Sequence, residues 1–226
     1  MISPVAPEVV LLHGFTGPTE EIVAAVGVIS AAASFRHLET PGGRRMSAAM
    51  TNCGSLGWVS DARGYRYEAC DPLTGRPWPA MPAVLRSLAQ RAAAAAGWPG
   101  FDPDACLVNR YASGARMGAH RDADERDFSQ PIVSVTLGAP AVFFWYGARR
   151  AGSPLRVRLE PGDVLVWGGA ARRGYHGVGP PLVATDAAAG DAQADLWGAG
   201  GEGTVASAAG PPGGPVRINL TFRKAG

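Results

Sequence analysis

From residue 105 onward the chain is a succession of short runs rich in β-branched and aromatic residues, each closed by glycine, proline or a charged residue. The runs are 106–111 (CLVNRY), 132–138 (IVSVTLG), 141–147 (AVFFWYG), 154–160 (PLRVRLE), 163–169 (DVLVWGG) and 216–223 (VRINLTFR). The stretch Glu160-Pro161-Gly162-Asp163 joins two of them with typical turn chemistry. Short strands bury their apolar faces by stacking as a sandwich or closing as a barrel. Ahead of them, residues 19–33 read as a helix, with Thr19 as N-cap and Glu20-Glu21 in the first turn. A second helix is expected from 82 to 96, opened by a proline and stopped at Gly97. Residues 40–80, with glycine, proline and several aromatics, read as irregular. The expected fold class is therefore mainly β (α+β), a jelly-roll-like barrel with helices packed outside. Residues 1–104 form an N-terminal helical extension with a recognition lid, and 105–226 form the core.

Residues 184–214 break the strand pattern. Alanine and glycine fill 18 of those 31 positions, which reads as a flexible loop inserted between two strands. The segment holds Asp186, Asp191, Asp195 and Glu202 but no Lys or Arg, so the rest of the chain carries 21 basic against 15 acidic residues. A mildly basic body with the pairs Arg44-Arg45, Arg149-Arg150 and Arg172-Arg173 suits a polyanionic partner. Every apolar run is far shorter than the roughly 20 residues that cross a bilayer. Val9-Val10-Leu11-Leu12 lacks the flanks of a signal peptide. Cys53, Cys70 and Cys106 are odd in number and have no CxxC spacing, which points to reduced thiols, a cytoplasmic location and no cysteine-based zinc site.

The chain has four histidines, His13, His37, His120 and His176. His120-Arg121-Asp122 puts an imidazole and a carboxylate two residues apart, on one face if the segment is extended. With His176 in Gly174-Tyr175-His176-Gly177, they can form the two-histidine, one-carboxylate triad that leaves positions open on non-haem iron. His-x-Asp by itself is a weak signal. The strand Arg217–Arg223 strengthens it, because residues 217, 219, 221 and 223 put two arginines and an asparagine on one face. Buried guanidinium groups require an anionic partner. A dicarboxylate that chelates iron at one end and meets arginine at the other, such as 2-oxoglutarate, fits. Asn109 and Tyr111 repeat the polar alternation on a second strand.

These residues sit within longer matches. The segments TPGGRRMSAAMTNCGSLGW, GYRY, DPLTGRPWPAMP, PDACLVNRYASGARMGAHRDADE, PIVSVTLGAPAVF, GDVLVWGG, YHG and RINLTFRKAG resemble the AlkB-type oxidative nucleic-acid demethylases, in particular the bacterial DNA-repair branch. The resemblance covers residues 35–169 and 216–225 and implies a double-stranded β-helix core. It implies Fe(II) on His120, Asp122 and His176, with 2-oxoglutarate held by Asn109, Tyr111, Arg217, Asn219 and Arg223 and dioxygen as co-reactant. It further implies removal of methyl groups from base nitrogens, and the expected partner is alkylated DNA, with single-stranded DNA or RNA as further partners and the enzyme a monomer. The reaction converts 2-oxoglutarate to succinate and carbon dioxide and releases formaldehyde. In 1-methyladenine and 3-methylcytosine the methyl group on the ring nitrogen gives the base a positive charge, so the pocket should be electron-rich and acidic. Trp58, Tyr65, Tyr67, Met50, Asp124, Glu125 and Arg150 are the expected substrate residues. Trp58 could stack on a flipped base, favouring the charged form by about 0.5–2 kcal/mol. Arg63 and Arg66 join Arg150 as expected phosphate contacts. The insert is longer than the family's usual connection, and Ala123 stands where relatives carry lysine. Competing readings are a dioxygenase acting mainly on RNA, a non-catalytic nucleic-acid-binding relative, and a zinc hydrolase with the same three ligands.

Overall fold

The computed structural model describes residues 1–183 and 214–226. The expected loop at 184–214 therefore lies, except for Gly214, outside the described residues. The strands are β1 (Ile2–Ala6), β2 (Val9–Leu12), β3 (Ala49–Gly54), β4 (Gly57–Asp61), β5 (Gly64–Glu68), β6 (Ala105–Tyr111), β7 (Met117–His120), β8 (Ile132–Gly138), β9 (Ala141–Gly147), β10 (Leu155–Leu159), β11 (Val164–Trp167), β12 (Tyr175–Val178) and β13 (Arg217–Arg223). The helices are α1 (Glu20–Ala32) and α2 (Ala83–Ala95), with a 3-10 turn at Gly169–Arg173.

Seven strands form one sheet in the order β1-β2-β11-β8-β13-β6-β3, and four form a second in the order β10-β9-β12-β7. The hairpin β4-β5 stands apart from both. Period-2 alternation divides the large sheet into two faces. On one face Cys53, Cys106, Val108, Val133, Val135, Val164, Leu220 and Phe222 pack under Ile22, Val26, Ile29, Leu85 and Leu88 of the two helices. On the other, Leu11, Ile132, Leu165 and Trp167 meet Phe143, Trp145 and Leu159 of the small sheet. Burial of these chains at about 25 cal/mol per Å² of apolar surface is the main stabilising contribution. The turn before β11 is pinned by buried Asp163, whose carboxylate accepts from the Gly14 N–H at 2.8 Å and the Glu160 N–H at 3.0 Å.

Several expectations change. Residues 40–80 are not irregular: β3 joins the large sheet and β4-β5 form a hairpin. Strands β1 and β2 have no counterpart in the sequence-based expectations, yet β2 pairs with β11 from Val9↔Trp167 to Leu12↔Val164. Strand β2 is ordered by β11 and β3 by β6, partners distant in the sequence, which local patterning does not reveal. The 1–104 segment is thus more than a helical extension, since three of its strands complete the core sheet. Thr19 occupies the N-cap position of α1, but its side chain makes no capping hydrogen bond. Helix α2 does stop short of Gly97, which follows the C-cap Ala96 and whose φ of +100° favours glycine.

Candidate metal and cosubstrate centre

His120 closes β7, and His176 lies directly opposite it on β12. This antiparallel register brings the imidazole centroids to 4.4 Å. Asp122 follows β7, with its carboxylate oxygens 3.8 Å from Nε2 of His120 and 3.8 Å from Nε2 of His176. The three donor atoms lie within 4.8 Å of one another, close enough to hold one metal ion. Each imidazole turns Nδ1 to a backbone carbonyl: Gly118 O at 2.9 Å for His120 and Gly174 O at 3.1 Å for His176. A carbonyl only accepts, so Nδ1 carries the hydrogen and Nε2 keeps its lone pair for a metal. Burial, with His120 alongside, pushes the His176 pKa down to about 4, so it is neutral near pH 7. Phe143, Trp145 and Trp167 surround its ring at 5.6, 6.4 and 5.0 Å between centroids. Burial by itself would raise the pKa of Asp122, but Arg223 and the two histidines hold the carboxyl well below the usual carboxylate range. The Arg223 Nη2 donates to Asp122 Oδ2 at 2.8 Å.

Across the cavity, β13 presents Arg217, Asn219, Thr221 and Arg223 inward beside Asn109 and Tyr111 of β6. Arg217 is 2% exposed and stacks over the Tyr111 ring at 5.3 Å. Its Nη2 donates to Thr136 Oγ1 at 3.0 Å, whereas Nε and Nη1 are buried without a partner. Asn109 Oδ1 is also buried and unpartnered. A guanidinium kept in a dry site with two donors unused fits a carboxylate ligand, because leaving them unmet is costly. Asn219 is already satisfied: its amide nitrogen donates to Ser134 Oγ and Val135 O, and its Oδ1 accepts from the Thr221 hydroxyl. Asn219 therefore braces the polar floor. Both arginines were expected to clamp an anion, and the surroundings separate them, since Arg223 already pairs with Asp122 and Glu125.

The cavity has a volume of about 530 Å³ and is lined by the histidines, Asp122, the polar floor and buried Met50, and, toward its mouth, by Trp58, Tyr65, Asp124 and Arg150. Trp58 stacks on Tyr65 at 5.5 Å, and its indole N–H donates to Asp124 Oδ2 at 2.8 Å. The Trp58 backbone is gripped from β3 by buried Asn52, which donates to its carbonyl and accepts from its N–H, both at 3.0 Å. Two expected substrate residues lie elsewhere. Glu125 is 6% exposed and is held in ion pairs with Arg172 and Arg223. Tyr67 donates its hydroxyl to Glu125 at 2.8 Å, and neither residue lines the cavity. Arg66 is also redirected: it pairs with Asp61 at 2.9 Å and with Glu68, folding the hairpin tip. Arg63 pairs with Asp61 at 3.0 Å, and the Arg150 Nε donates to Ala119 O at 3.1 Å while the side chain remains at the cavity wall.

The family model of the 2OG-Fe(II) oxygenase superfamily matches residues 8–223. The alpha-ketoglutarate-dependent dioxygenase AlkB of Salmonella typhimurium is 49% identical over 178 residues, 78% of this chain and 82% of that protein. The chain belongs to the 2OG-Fe(II) oxygenases, in their AlkB branch. A protein of Arabidopsis thaliana named DNA N(6)-methyladenine demethylase ALKBH1C is 33% identical over 142 residues, 54% of this chain and 31% of that protein. The solved structure of OsALKBH1 superposes with a TM-score of 0.75 at 27% identity, covering 99% of this chain and all of that one. The oxygenase depends on Fe(II), 2-oxoglutarate and dioxygen. Sequence reasoning missed Ser134 and Thr136, although the alternation in IVSVTLG marks both as inward polar positions. It also missed Asn52, Trp167 and Arg172, whose partners become apparent only once the chain is folded.

Proposed function

We propose that this oxygenase removes alkyl groups oxidatively from ring nitrogens of nucleobases in DNA, a direct reversal of alkylation damage. His120, Asp122 and His176 would hold Fe(II), and Arg217 would take the distal carboxylate of 2-oxoglutarate, with Tyr111 and Asn109 beside it. When bound, the metal and cosubstrate supply the oxidant for the methyl C–H bond, with formaldehyde lost afterwards. The protein's own residues bind, orient and exclude water. The reading is carried by one observation: the stacked Trp58–Tyr65 face opens onto the same cavity as the triad. Asp124 at that mouth can accept from an exocyclic amine and offset a quaternised ring. Exposed Arg44, Arg121 and Arg150 at the cavity wall suit phosphate contacts that position a strand without reading its sequence. The β4-β5 hairpin then acts as a lid on a jelly-roll core of double-stranded β-helix type.

The three free cysteines support a cytoplasmic site, and among the described residues no helix is long and apolar enough to cross a membrane. The test is turnover on matched DNA and RNA oligonucleotides carrying 1-methyladenine or 3-methylcytosine. Formaldehyde and succinate should form one to one on DNA, with slower release on RNA. Faster turnover on RNA would make RNA the substrate, and no release from either would overturn the nucleobase reading.

A further inference from the structure

Behind the triad, four charged side chains form a closed cluster. Glu125 Oε1 accepts the Tyr67 hydroxyl at 2.8 Å and lies 3.1 Å from Nε of Arg223, while Oε2 lies 3.2 Å from Nη2 of Arg172. Arg223 continues to Asp122 Oδ2 at 2.8 Å, and the Arg172 Nη1 donates to the Asp122 backbone carbonyl at 3.3 Å. The side chains of Glu125 and Arg172 are 2% exposed, that of Arg223 7% and that of Asp122 11%. Two guanidinium groups thus face two carboxylates in a place where water screens little. One of those carboxylates, Asp122, is also the acidic member of the candidate metal triad. If Asp122 had to balance Arg223 unaided, with Arg172 close behind, an arriving divalent cation would meet excess positive charge. Glu125 contacts both arginines and does not line the cavity, so its charge is available for that balance.

We propose that Glu125 is a positioning residue for the metal: it neutralises Arg172 and Arg223, so that the charge of Asp122 is not spent on them and stays, with its orientation, available to the cation. This rests on the triad reading of the site. The test is Mn(II) binding to the full-length protein without cosubstrate, followed by the loss of the free-ion electron paramagnetic resonance signal. Asp122→Ala comes first, and if it binds Mn(II) like the parent, the triad reading falls. Glu125→Gln should weaken Mn(II) at least about tenfold through lost charge in a poorly screened site. Glu125→Asp keeps the charge but shortens the reach to Tyr67, and should stay within about threefold of the parent. Glu125→Gln combined with Arg172→Gln removes one charge of each sign and should recover most of the lost affinity. Glu125→Gln binding within twofold of the parent overturns the proposal. So does Glu125→Asp as weak as Glu125→Gln, or a double variant weaker than the single one. If Glu125→Gln does not fold, Glu125→Asp and the isoelectric double variant decide the matter against the parent.

Discussion

Arg217 and Arg223 share a strand face, yet their neighbours differ. Arg217 has a threonine hydroxyl and a tyrosine ring but no acidic partner, and two of its donors are idle. Arg223 is held by Asp122 and Glu125. Arg217→Ala should therefore weaken 2-oxoglutarate by about 2–4 kcal/mol, as expected for a lost buried charge pair, and leave Mn(II) affinity within twofold. Arg223→Ala should do the reverse, loosening Asp122 and weakening the metal first. Calorimetric titration of both ligands into both variants checks this, and the same loss profile in the two would refute the division. At this scale the sequence was informative about identity and poor about partnership. The alternation in RINLTFR shows which side chains point inward, but not that Arg223 meets Glu125 or that Asn219 spends its amide on Ser134 and Val135.

Two aromatic side chains of the β4-β5 hairpin donate to the segment after β7, Trp58 to Asp124 and Tyr67 to Glu125. Trp58→Ala should raise KM for methylated oligonucleotide about tenfold, the lower part of the range for losing a base–aromatic stack. Slow 2-oxoglutarate decarboxylation without nucleic acid should persist, and equal losses in both assays would make Trp58 a packing residue. A second element-level test lies before β12. A Cβ on Gly174 would meet the Trp145 ring at 2.2 Å and Ala171 O at 3.0 Å, and the Gly174 carbonyl holds His176 Nδ1. Gly174→Ala should push Trp145 and shift His176, lowering metal affinity and thermal stability together, as core overpacking does at about 1–3 kcal/mol. Unchanged Mn(II) affinity and Tm would show that the loop gives way without effect. Strands rich in β-branched or aromatic residues, such as 132–138 and 141–147, were legible to the residue. The four residues of β7, Met-Gly-Ala-His, were not, because small residues carry little strand preference and their pairing with β12 imposes the conformation. The hairpin was hidden for a similar reason, its strands being only five residues long, each opening on a glycine, and its aromatics equally compatible with a loop.

Across the whole molecule, the apolar layer between helices and sheet seals two of the three thiols. Cys53 and Cys106 face each other in the β3–β6 register and are fully buried, and burial pushes the Cys106 thiol well above its ordinary value. Cys70 is exposed. A thiol reagent at pH 8 should therefore count one fast group in the folded protein and three after denaturation, and two fast groups would show that the layer opens readily. The two sheets also divide the proposed ligand residues between them. His120 and His176 belong to the small sheet and Arg217 to the large one, so an ion and a dicarboxylate that chelates it would together stitch the halves across their seam. Each ligand anchored on its own side resists separation only weakly, whereas the chelate must be broken or released before the sheets part. Thermodynamic reciprocity then makes each partner tighten the other, and the gain appears as heat resistance because the unfolded chain binds neither. Under anaerobic conditions, Mn(II) and 2-oxoglutarate added together should raise Tm by more than the sum of their separate shifts, and Arg217→Ala should reduce that surplus to zero.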